Sequence, residues 1–151
     1  MIQIEGIAAL KALEGKTLGP SPYLTITQRM IDDFAAVTGD RQWIHCDPER
    51  AAREAPFGKT IAHGYLTLSL FVTLQDGIYA LKGISRGVNY GADKLRFLAP
   101  VPVDSRIRLV QRIKAVELIA GGARLMTESS IEIEGVDKPA LIIETIGLLF
   151  A

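Results

Sequence analysis

The chain has 151 residues, of which 48% are hydrophobic and 23% charged, with 17 basic and 17 acidic side chains and a formal net charge of zero. That apolar content excludes a disordered chain, and the charge balance gives no basic face for nucleic acid and no acidic tail. The single cysteine, Cys46, allows no internal disulfide, and no apolar run is long enough to span a bilayer. The first residues lack the pattern of a signal peptide. The expectation is one cytoplasmic domain over residues 1–151, with neither membrane nor nucleic acid as partner.

Residues 4–14 read as a short helix ended near Gly15, and Tyr23–Ile26 as a short strand. Thr27 is then an N-cap, with Met30, Ile31, Phe34 and Val37 on one helical face and Gly39 as the stop. Asp47-Pro48 starts another short helix, running to about Arg53. Asp40 and His45 therefore bracket a loop between two helices.

From Gly64 to about Tyr79 the sequence predicts a helix apolar around nearly its whole circumference, which must be buried. After Gly83 the period changes to two. Ile107, Leu109, Ile113 and Ala115 alternate with Arg106, Arg108, Arg112 and Lys114, and Leu125, Thr127, Ser129, Ile131 and Ile133 alternate with their neighbours. Segments 86–98 and 140–150 also read as strands, and Gly121-Gly122 marks a hairpin. Helices first and four long antiparallel strands afterwards make an α+β chain, with one apolar helix wrapped by one curved sheet.

Asp40 and His45 are five positions apart in a loop, where both side chains can converge on one water. A carboxylate and an imidazole can divide proton removal and proton delivery between them. Spacing alone does not establish this, since a loop aspartate and histidine can equally be a cap and a surface ring. Gly64 opens the buried helix, whose first N–H groups have no intrahelical acceptor, and a glycine there lets a substrate oxygen approach.

At these residues the chain resembles a known family. "TGDRQWIHCDPERA" followed by "FGKTIAHGYLTLSL" is similar to the signature of the MaoC-like dehydratases, which are hot-dog-fold (R)-specific enoyl-CoA hydratases. "VNYGADKLRFLAPVPVDSRIRL" also resembles that family, especially its nodulation-protein-N-like branch. Arg41-Gln42-Trp43 departs from the Asn-Pro pair that many members carry. The resemblance covers about Thr25 to Phe150. It implies hydration of trans-2-enoyl-CoA to a 3-hydroxyacyl-CoA, with Asp40 and His45 as the catalytic pair and the Gly64 N–H on the thioester oxygen. It also implies a homodimer.

Other residues take second place. Trp43, Tyr65 and Phe34 are candidates for an acyl pocket, and Asn89 and His63 for ligand contact, each set against a purely structural role. A backbone-bonded His63 is the plainer expectation. Asp47 reads as an N-cap and Cys46 as a small buried hydrophobe. Lys94, Arg96, Arg53 and Lys59 are candidates for the coenzyme A phosphates. Two histidines without a Cys/His cluster give no expectation of a metal, and no cofactor is expected beyond the coenzyme A thioester as substrate. The rival readings are an acyl-CoA thioesterase on the same fold and a non-catalytic acyl-CoA-binding subunit of a heteromeric dehydratase.

Overall fold

The computed structural model describes residues 1–151. In chain order its elements are β1 (Ile2–Glu5), α1 (Gly6–Lys11), β2 (Thr17–Leu18), β3 (Leu24–Thr25), α2 (Gln28–Thr38), α3 (Trp43–Cys46) and α4 (Pro48–Glu54). There follow α5 (Gly64–Ser69), α6 (Phe71–Asp76), β4 (Tyr79–Lys82), β5 (Arg86–Phe97), β6 (Arg106–Ile119), β7 (Gly122–Ile133) and β8 (Leu141–Phe150). No helix is long and apolar enough to cross a membrane.

Local chemistry sets the helix ends that matter for function. The Thr27 hydroxyl accepts from Met30 N–H at 3.2 Å and starts α2, and Gly39 ends it in the left-handed region at φ 81°. The Asp47 carboxylate accepts from Arg50 N–H at 2.9 Å, with Pro48 in the first turn of α4. Val37, expected on the buried face of α2, points into solvent; Ile31 and Ala35 carry the buried stripe instead. The expected helix over 4–14 is replaced at its start by β1, which pairs in parallel with β4.

The long apolar helix is interrupted at Leu70 and ends at Asp76. The backbone bonds Leu70 N–H to Leu66 O and Leu74 N–H to Leu70 O carry the ladder across the junction. It is not buried all round. Leu66, Thr67, Phe71 and Leu74 face the sheet, while Tyr65 and Val72 are 67% and 47% exposed. Only one side of this helix meets the sheet within a single chain.

The main sheet runs in the order β2-β6-β7-β8-β5, with β3 also pairing β6, and every pairing is antiparallel. Its inner face and α5–α6 share the core, in which Ile107, Leu109, Ile113, Ile131 and Leu141 are fully buried. A register shift between Ile113 and Ala115 moves the inward position to Val116 and leaves Ala115 half-buried. A buried polar group sits beneath α6, where Gln111 Nε2 donates to Gln75 Oε1 and to Thr127 Oγ1, both at 3.2 Å. Outside, β6 presents a basic row to an acidic row on β7 and the residue just after it: Arg106–Glu134 at 3.0 Å, Arg108–Glu132 at 2.8 Å and Arg112–Glu128 at 2.9 Å. β5 lies at the sheet edge and is exposed along almost its whole length.

Candidate active site

The short strap before α5 is tied to the loop that follows β5. Ala62 N–H donates to Val101 O at 2.8 Å, Val103 N–H donates to Thr60 O at 2.9 Å, and Ile61 bridges Pro102. This fixes the entry to α5 against the end of the sheet. The segment between α2 and α4, expected as irregular loop throughout, contains the single turn α3, and that turn aims the His45 ring inward.

His45 is buried, and its Nδ1 lies 2.7 Å from Ile61 O. A carbonyl only accepts, so Nδ1 carries the proton and Nε2 presents a lone pair. The His45 carbonyl accepts from Gln28 Nε2 at 2.8 Å, and Gln28 in turn accepts from the Thr60 hydroxyl, so α2, α3 and the strap are held together. Burial pushes the His45 imidazole below the usual histidine range. The Ile61 hydrogen bond and the Asp40 charge oppose this, and His63 adds to it.

Asp40 follows the Gly39 stop, with its side chain exposed and its backbone carbonyl accepting from His63 Nε2 at 2.9 Å. The His63 ring stacks on His45, with centroids 3.9 Å apart and planes at 26°, and meets Phe34 on another side at 5.0 Å. One ligand-type atom from each of Asp40, His45 and His63 falls within 4.8 Å of the others. The sequence offered no such cluster; folding assembles it. The same spacing suits a carboxylate and an imidazole sharing one water.

Gly64 is the first residue of α5, and its N–H donates to no protein acceptor. A Cβ at this position would lie 3.0 Å from the Phe97 ring, so the glycine lets that ring close over the helix end. A cavity of about 250 Å³ opens here, lined by His45, Gly64 and Thr67 on one side and by Phe97, Ala99, Val101 and Ala140 on the other. The structure thus joins a buried imidazole, a free amide and an apolar recess, with the Asp40 carboxylate close to the imidazole.

Four further expected contacts lie elsewhere. Trp43 packs beneath the Arg50 guanidinium at 4.3 Å and does not line the cavity. Tyr65 is exposed and packs edge-to-face on Phe97 at 5.8 Å, outside the cavity lining. Asn89 pairs with Gly147 on the exposed edge strand, away from the cavity of its own chain. His63 is bonded to Asp40 backbone and does not line the recess. Among the basic candidates, Lys94 is paired with Glu144 at 2.7 Å and Lys59 with Asp104 at 3.5 Å. Asp47 is the N-cap it was read as. Cys46 is half-buried, and burial pushes its thiol up, which keeps it protonated. Phe97, Ala99, Val101 and the Ile61 carbonyl were not foreseen. They come from a strand end and a loop whose sequence carries no chemical signature.

Residues 10–135 match the MaoC like domain family. The chain is 48% identical over 147 residues to 3-hydroxyacyl-thioester dehydratase Z of Mycobacterium tuberculosis, covering 97% of each chain. It is 42% identical over 139 residues to Nodulation protein N of Rhizobium leguminosarum bv. viciae, covering 89% of this chain and 85% of that one. Among solved structures, the (R)-hydratase from A. caviae superposes with a TM-score of 0.67 at 26% identity, covering 89% of this chain and 94% of that one. The antiparallel sheet with its few helices is the α+β hot-dog fold expected from the sequence.

Proposed function

Because the chain belongs to the MaoC-like domain family and is a hydratase/dehydratase, a lyase, we propose that it hydrates trans-2-enoyl-CoA reversibly to (R)-3-hydroxyacyl-CoA. The supporting observation is a recess lined by His45 and by Gly64, whose N–H is unpartnered, with the exposed Asp40 carboxylate close to the imidazole though outside the lining. The thioester carbonyl accepts from Gly64 N–H, which draws electron density from the conjugated double bond and makes C3 electrophilic. Asp40 and His45 share the attacking water. The bare His45 Nε2 takes a proton from the water as the C3–O bond forms, and the imidazolium so formed returns that proton to C2 while the Asp40 carboxylate holds the water. Charge builds on the thioester oxygen as the enolate forms, so an amide fixed there favours the transition state over the ground state.

The acyl part occupies the apolar recess beneath Phe97. The chain acts as one domain and as a homodimer, in which a second copy covers the exposed side of α5–α6 and the β5 edge. The lone, protonated Cys46 fits a reducing cytoplasm.

The test is turnover of crotonyl-CoA by the purified chain, followed by loss of the enoyl absorbance with a thiol trap in parallel. Loss of absorbance without free thiol supports the reading. Release of thiol favours a thioesterase. Tight acyl-CoA binding without turnover favours a subunit of a heteromeric dehydratase.

A further inference from the structure

We propose that His63 is a positioning residue for the hydration reaction, holding Asp40, His45 and the Gly64 amide in one arrangement without touching the substrate; this rests on the hydratase reading of the site. His63 is only 2% exposed and lies outside the cavity lining, which places it behind the reacting groups.

Three separate contacts make the case. Its Nε2–H donates to the Asp40 carbonyl at 2.9 Å and so pins the backbone of a segment that has no regular structure before α3. Its ring lies flat against His45 at 3.9 Å, with Phe34 on another side, and limits the tilt of the base. Its own carbonyl accepts from Thr67 N–H at 3.1 Å and from the Thr67 hydroxyl at 3.5 Å. Because the 63–64 peptide is planar and trans, a carbonyl pointing along α5 turns the Gly64 N–H the opposite way.

The remaining ring nitrogen supports the same assignment. The bond to Asp40 O requires the proton on Nε2, and Nδ1 is buried with no partner. The donor hydrogen is thus fixed on the nitrogen that faces Asp40, and the other nitrogen makes no contact that would pull the ring out of this position, which suits a fixed strut.

The experiment compares His63→Gln, whose amide N–H can stand in for Nε2–H, with His63→Asn, which cannot reach, and His63→Phe, which keeps the ring without a donor. Crotonyl-CoA kinetics are read alongside amide hydrogen exchange at His45 and Cys46, whose N–H groups bond to Gln42 O at 3.0 and 3.1 Å. The expected result is that Phe and Asn lower kcat by about 10²-fold with little change in KM and speed exchange in α3, while Gln, which keeps the donor but loses the ring stack, shows a clearly smaller loss than Asn in both. Equal kcat in His63→Phe and wild type, or equal loss in Gln and Asn, overturns the proposal. If the wild-type chain itself turns over no enoyl-CoA, the hydratase reading fails. The exchange data still decide the role of His63 as a strut, and unchanged protection of α3 in both His63→Asn and His63→Phe rejects it. Should the Phe variant fail to fold, the Gln–Asn pair alone decides.

Discussion

The His45 imidazole and the Asp40 carboxylate are held differently. The imidazole is buried with its tautomer fixed by Ile61 O, whereas the carboxylate is exposed and fixed only through its backbone. Acid–base groups of this kind contribute about 10²–10⁴-fold each. Asp40→Asn and His45→Gln are therefore each expected to lower kcat/KM for crotonyl-CoA by about that factor, with circular dichroism unchanged. Near-wild-type turnover in either would remove that residue from the mechanism. Because burial depresses the imidazole, His45 stays neutral below the ordinary histidine value of ~6.5, and the acid limb of kcat/KM should fall below that pH. The stability effect has a definite sign. The unfolded chain binds a proton at His45 more readily than the folded one, so stability falls as pH drops through ~6.5 and levels off below the folded value. Thermal melts on both sides of that pH should show the drop in the wild type and a smaller one in His45→Gln.

At the scale of elements, the start of α5 and the end of β5 form one working unit, because the Phe97 ring fills the space that a Gly64 side chain would need. Gly64→Ala should push that ring aside and lower kcat/KM about 10-fold or more, and adding Phe97→Ala should recover part of the loss if crowding is the cause. The β7–β8 contact is less forgiving. A Cβ on Gly122 would overlap the Leu149 carbonyl, with no flexible side chain to yield, so Gly122→Ala should cost about 2 kcal/mol or more in urea unfolding. Where elements depend on a local signal, the sequence revealed them. Thr27, Gly39, Asp47 and Pro48 bounded α2 and the start of α4, and period-two alternation located the four long strands. It was silent where distant chain segments decide. The break at Leu70, the parallel β1–β4 pair and the shift that buries Val116 answer to packing that no local pattern encodes. The site divides the same way. Asp40, His45 and Gly64 could be singled out as candidates in a short span, and folding brings them near one another, while the carbonyl that sets the His45 tautomer and the apolar wall from Phe97 to Ala140 came from elsewhere in the chain.

Viewed as a whole, the molecule keeps two kinds of surface apart. The outer sheet face is laced with ion pairs, whereas the edge strand β5 and the open side of α5–α6 carry Tyr65, Val72, Val88, Tyr90 and Phe97 with substantial exposure. An uncovered edge of this kind favours pairing. Light scattering should therefore give about twice the chain mass of 16.4 kDa, and Tyr90→Lys should shift the population toward monomer and weaken turnover. A monomeric wild type would exclude the homodimer. The opposed rows on β6 and β7 have a different consequence. Sliding one strand past the other by two residues breaks most of these pairs, because Val110 faces Ser130 in the middle of the rows; charge, the turn at Ala120-Gly121 and the tight fit of Gly122 therefore favour the same alignment. Charge also discriminates identity. A second β6 laid alongside would meet arginine with arginine, and a second β7 glutamate with glutamate. While the chain is still folding, like strands from different molecules repel. Concentrated salt should weaken this like-from-unlike sorting and raise the share of aggregate on refolding.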